Sequence, residues 1–197
     1  KMKKITSILF IMLFSFMANL FAEENRTIKR ISEGDPNAKI NIITYESLTC
    51  SHCADFHKNV YPNLKTEFID KGLVKIEFRH FPLDISALNA SKIGQCNNDG
   101  KSDLVHILFS GQKKWARGKT PNEAKKYLKK FLEDENISVE FEKCLKDKTI
   151  EDYVLNDRIE GVKEFGVNAT PTIIINGKKF DKALNYKNLK KYLEKLI

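Results

Sequence analysis

The sequence predicts an α/β domain, a small central sheet interrupted by a long helical insertion. Three observations carry this reading. An apolar, branched run at 40–45 leads into Cys50, Ser51, His52 and Cys53 at a helix start. Further strand patterns stand at 73–81 and 172–180, while the residues from 86 to 165 read as successive helices.

Taken in order, residues 1–22 have the form of an export signal: Lys1, Lys3 and Lys4 as a basic head, an apolar stretch over 8–20, and small Ala22 at the cut. A retained anchor is the alternative, but Thr6, Ser7, Ser15 and Asn19 dilute the run below the roughly 20 apolar residues a span needs. Residues 23–38 are polar, contain Gly34 and Pro36, and read as a flexible leader. Residues 39–46 are apolar at nearly every position, as in a central strand covered on both faces. From Ser51 onward Val60, Leu64 and Phe68 fall at helical spacing, Pro62 predicts a kink and Gly72 a stop. Residues 73–81 alternate Val74, Ile76 and Phe78 with Lys75, Glu77 and Arg79, a second strand closed by Pro82 and expected to run parallel to the first.

Helices are then predicted near 86–97, 101–116, 121–133, 138–146 and 150–165, with Thr120-Pro121 as a capped start. Two short strands, 172–176 and 178–180, meet at Asn176-Gly177, the pair preferred in tight hairpins. Tyr186, Leu189, Leu193 and Leu196 form the inner stripe of a closing helix. This order is that of a thioredoxin fold with an inserted helical subdomain. The thioredoxin-fold domain takes residues 39–85 and 166–197, and the insert 86–165.

With 197 residues the chain can bury a core without metal support. Removing the signal deletes three lysines and no acids, so the formal charge falls from +8 to +5 (8 − 3). Lysine pairs such as Lys125-Lys126, Lys129-Lys130 and Lys190-Lys191 recur at helical spacing, the mark of a solvated face. No basic and aromatic cluster accompanies them, which argues against a nucleic-acid partner. The four cysteines, 50, 53, 96 and 144, all lie beyond the signal, and an even number in an exported chain suggests pairing.

A thiol pair at CxxC spacing where a strand passes into a helix is suited to making or breaking disulfides. Cys50 at the helix start would meet unpaired amides and the positive end of the dipole, which stabilise a thiolate, and His52 would add positive charge. Cys53, one turn on and more sheltered, would resolve mixed disulfides. A zinc half-site is the first alternative, with His57 and His80 as spare ligands; an inert structural bridge is the second. No metal or cofactor is expected. His106 reads as a packed or surface histidine and Trp115 as part of the subdomain core, rather than as ligand groups. Thr170-Pro171, just before a strand, would as a cis bond turn its backbone toward the sulfurs and leave an edge where an extended substrate pairs. Cys96 and Cys144 are expected to be joined, closing a loop of about 49 residues worth on the order of 4 kcal/mol; two free thiols are the alternative.

The stretches ITYESLTCSHC (43–53), FRHFPLD (78–84) and GVNATPTIIINGK (166–178) resemble the DsbA family of exported thiol-disulfide oxidoreductases. The resemblance implies Cys50 as the attacking cysteine, Cys53 as the resolving one and Thr170 with Pro171 as the facing loop. It also implies a second disulfide in the insert, reduced exported proteins as substrates, a membrane redox partner and a periplasmic location. Where members often carry an acidic residue six positions before the first cysteine, this chain has Thr44, with Glu46 two residues on. Ser51-His52 differs from the Pro-His of the best-known oxidases, so direction of electron flow stays open among oxidase, reductase and isomerase. A chaperone or binding protein that uses the cysteines structurally is a further alternative. Only residues 23–39 separate the signal from the strand, leaving no room for a dimerisation domain, and a monomer is expected.

Overall fold

The computed structural model describes residues 26–197. The export signal expected at 1–22 lies outside them. No described helix is long and apolar enough to cross a membrane.

The sheet is built around β2 (Ile40–Glu46) and β3 (Val74–His80), which run parallel in the register Ile40↔Val74 to Glu46↔His80. Between them the chain makes α1 (Ser51–Asn59), α2 (Tyr61–Leu64) and one π turn (Lys65–Ile69). The axis breaks at Val60, two residues before Pro62, because the proline lacks a donor and its ring excludes the carbonyl one turn back. β4 (Thr172–Ile175) lies antiparallel on the other side of β2, and β5 (Lys178–Lys179) pairs with β4 across the Asn176-Gly177 turn, where both residues take positive φ.

Residues 26–38 depart from the expected leader of little order. Ser32–Glu33 forms β1, antiparallel to β3, and completes the order β1-β3-β2-β4-β5. Buried Ile31 supplies the reason: it is 1% exposed, and its carbonyl accepts from Phe78 N at 3.0 Å, so it anchors a segment whose polarity suggested disorder.

Between β3 and β4 the chain forms α3 (Ile85–Gln95), α4 (Asp103–Ser110), α5 (Gln112–Trp115), α6 (Pro121–Asp134), α7 (Phe141–Lys146) and α8 (Lys148–Phe165). α9 (Tyr186–Leu193) closes the chain. Asp84, Thr120 and Asp147 accept from amides in the first turns of α3, α6 and α8, satisfying donors that the helices leave free. Cys96, just beyond α3, is disulfide-bonded to Cys144 on α7, as expected, and Trp115 is fully buried with its Nε1 donating to Leu108 O at 2.8 Å.

Both faces of β2 are covered, as its unbroken apolarity predicts. Ile40 and Ile42 join one large core with Phe56, Leu64, Phe68, Ile76 and Phe78. On the opposite face Tyr45 packs with Phe81, Val167 and Ile174. There α8 approaches so closely that a Cβ on Gly161 would stand 2.7 Å from Tyr45 Cε1.

Candidate active site

The strand β2 ends at Glu46, and the turn 47–50 delivers the chain to the start of α1. Cys50 N donates to Ser47 O at 3.0 Å, and Thr49 Oγ1 donates to Asp84 Oδ2 at 2.7 Å, which ties the turn to the cap of α3. Gln112, on the insert, spans the same turn from the other side: its Nε2 donates to Leu48 O at 2.8 Å and Cys50 O at 2.9 Å. Sequence reading missed Gln112, since a lone glutamine carries no pattern.

Cys50 occupies the N-cap of α1 with extended backbone, and Cys53 lies in the first turn. Both are free thiols, Cys50 half-buried and Cys53 fully buried. The Thr170-Pro171 bond is cis, and Cys50 Sγ donates to Thr170 O at 3.3 Å. Residues separated by 120 positions thus meet at one sulfur, the juxtaposition expected of the proline loop.

The two thiols differ sharply. Cys50 is lowered to about 5, foremost because the Cys53 thiol donates to its sulfur; burial opposes this, while the Thr170 side chain and the amides of Cys53 and His52 add to it. Burial pushes the Cys53 thiol up, and the neighbouring Cys50 and the charge of Glu46 push it further. The origin of Cys50 acidity therefore differs from the sequence expectation. The His52 side chain is exposed and, among the described residues, has no hydrogen-bond partner; its amide, rather than its ring, serves the sulfur.

Glu46 is 4% exposed, and its Oε2 lies 2.8 Å from His57 Nε2. Thr44 on the same face is buried and donates to Glu77 O at 3.3 Å. His106, read from the sequence as a packed or surface histidine, stands with Nδ1 2.9 Å from His57 Nδ1. The one sequence signal for this contact was the spacing Cys53 to His57, one helical turn along one face. Burial lowers His80, which faces Gln95 Oε1 at 3.2 Å and stays neutral. Among the described residues no group of three or more acids, histidines and cysteines is placed to hold a metal ion. Cys96 and Cys144, bonded to each other, are not available to complete a zinc site with Cys50 and Cys53.

A family model described as thioredoxin matches residues 26–195. The chain belongs to the thioredoxin family. Within it the chain is DsbA-like. It resembles the crystal structure of α-DsbA1 from Wolbachia pipientis with 29% identity and a TM-score of 0.76, over 87% of this chain and 92% of that one. A Rickettsia bellii relative named a protein-disulfide oxidoreductase is 28% identical over 147 residues, 73% of this chain and 56% of its own. This chain spans about half the length of the curated rickettsial relatives it matches. Disulfide bond formation protein D of Bacillus subtilis is 25% identical over 179 residues, 82% of this chain and 74% of its own.

Proposed function

We propose that this chain is a protein thiol-disulfide oxidoreductase that introduces disulfides into exported proteins by dithiol-disulfide exchange. The observation that carries the reading is the inequality of the two sulfurs: a half-exposed thiol lowered to about 5 beside the proline loop, and a buried one pushed up behind it. A stabilised thiolate favours the reduced protein, which makes its disulfide an oxidant.

In the oxidised protein a substrate thiolate attacks Cys50 Sγ, the Cys50–Cys53 bond breaks, and its electron pair passes to Cys53 Sγ, which takes up a proton. A second substrate thiolate attacks the substrate sulfur of the mixed disulfide. The substrate leaves with a disulfide, its two electrons now on the Cys50–Cys53 dithiol, and Cys50 departs as a stable thiolate. Thr170 and Pro171 offer backbone beside the sulfur where an extended substrate segment pairs. A membrane redox partner withdraws the two electrons and restores the disulfide. The setting is the periplasm, reached by a cleaved signal, and the acting species is a monomer. His52 contributes through its amide and tunes the pair from the rim.

The test is trapping. A Cys53→Ala chain should accumulate mixed disulfides with reduced exported proteins, released by reductant and absent when Cys50 is also replaced by serine. A Cys53→Ala chain that carries no partner speaks for a structural use of the cysteines. The reduction potential decides direction: a value at or below that of the glutathione pool would mark a reductase instead.

A further inference from the structure

The helix that carries the thiol pair lacks the usual local lock at its start. Cys50 is the N-cap of α1 with φ −78° and ψ 120°, no side chain there accepts from a first-turn amide, and the first turn holds no acidic residue. A serine or aspartate at the cap would fix the turn from within. A cysteine whose sulfur must form and break bonds does not.

The fixing comes from α5 instead. Gln112 Nε2 lies 2.8 Å from Leu48 O and 2.9 Å from Cys50 O. Both partners only accept, so the side-chain amide presents its nitrogen, and its two hydrogens serve one carbonyl each. Leu48 O takes no other hydrogen bond among the described residues, while Cys50 O also accepts from Ala54 N at 3.2 Å. Between residues 86 and 165 no other described side chain hydrogen-bonds the turn 47–53, whose remaining side-chain partners are Asp84, Thr170 and Leu83.

Gln112 is itself firmly seated. It is 7% exposed, and three residues on Trp115 is fully buried with its Nε1 2.8 Å from Leu108 O. Just before it, Gly111 lies so close to Phe131 that a Cβ would strike the ring. An amide on such a support leaves little slack in the carbonyls it holds. The residue so held also carries the reacting sulfur: Cys50 Sγ has Thr170 O at 3.3 Å, and the amides of His52 and Cys53 serve it from the helix start. N–H groups stabilise a developing anion best when they are already aimed and need not rearrange.

We propose that Gln112 is a positioning residue for the thiol: by gripping the carbonyls of Leu48 and Cys50 from α5, it holds Cys50 Sγ against the amide end of α1 and the loop at Thr170. The proposal rests on the exchange reaction above. In its last step a substrate thiolate attacks the substrate sulfur of the mixed disulfide, the bond to Cys50 breaks, and its electron pair leaves on Cys50 Sγ. The substrate is thereby oxidised by two electrons and the dithiol is the reduced product. The departing thiolate is the species whose surroundings Gln112 keeps in place. Losing that grip weakens the thiolate and the oxidising power of the disulfide together.

The test compares the wild-type chain with Gln112→Ala and Gln112→Glu; the second keeps the shape but turns an oxygen toward two carbonyls that need a donor. Two quantities are read: the pH of half-ionisation of Cys50 by thiolate absorbance, and the ratio of dithiol to disulfide in a fixed mixture of reduced and oxidised glutathione. For the net worth of about one hydrogen bond, half-ionisation should rise by about 0.5–1 pH unit and the ratio should fall about 3- to 10-fold in both variants. Gly161→Ala, which strains α8 against Tyr45 on the other face of the sheet, should leave both readings at their wild-type values. Wild-type readings in the Gln112 variants overturn the proposal, and so does an equal shift in Gly161→Ala, which would mean general loosening. Should Gln112→Ala unfold, Gln112→Glu decides alone. A wild-type Cys50 half-ionised near 9 sinks the acid-thiol reading and the positioning role with it; one near 5 with unmoved variants sinks only the positioning role.

Discussion

Cys50 Sγ and the carbonyl oxygen of Thr170 lie 3.3 Å apart, joining the start of α1 to the loop before β4. That contact exists because β4 pairs antiparallel with β2, so the loop entering one strand is carried to the turn that leaves the other. The acid thiol and the surface for an incoming chain are therefore products of the same sheet register.

The acidity of Cys50 sets a pH window. Its value falls from 9 unfolded to about 5 folded, so ionisation favours the folded dithiol. A depressed value contributes stability that is fully present above pH 9, declines below it and is lost as pH falls through 5. Cys53, pushed up by burial, stays neutral throughout this window. The disulfide form has no thiol to titrate. The gap in unfolding free energy between dithiol and disulfide forms should therefore widen as pH rises from 5 toward 9, measured by denaturant melts of both forms.

Removing the Cys96–Cys144 bridge frees a sequence separation of 48 residues in the unfolded chain. Replacing both cysteines with alanine is expected to lower stability by up to about 4 kcal/mol, read as a fall in denaturation midpoint, with the Cys50 thiol titration unchanged.

Gly161 marks where α8 meets the sheet. Its Gly161→Ala variant would press a methyl against the Tyr45 ring, with 2.7 Å to Cε1. A loss of about 1–3 kcal/mol is expected from overpacking, checked by thermal unfolding.

Gln112→Ala removes the donor shared by Leu48 O and Cys50 O. We expect about 1–3 kcal/mol of destabilisation from the stranded carbonyls, and faster amide exchange confined to residues 48–53.

The order of elements was readable because each strand and helix carried its own period, and because Cys50, Cys53, Thr170 and Pro171 stand at spacings that a familiar topology brings together. The second bridge was legible for the same reason, since two otherwise unplaced cysteines fell in one helical insert. What escaped was long-range and polar. Ile31 makes a polar segment into an edge strand, Gln112 reaches back to the active turn from the insert, and Glu33 meets His106 across 73 positions. Such contacts have no period, and only the packed structure chooses the partner of a buried polar group. His52 was legible as a residue of the motif, but that its amide is what faces the Cys50 sulfur while its side chain is exposed is a product of the first turn of α1.

The central claim is the unequal acidity of the pair, and the thiolate absorbance of the reduced protein tests it most directly. Titrated with pH, with Cys50→Ser as the blank, Cys50 should be half-ionised near pH 5, and no second thiol should ionise before pH 9. A single transition near 9, the ordinary cysteine value, would contradict the account.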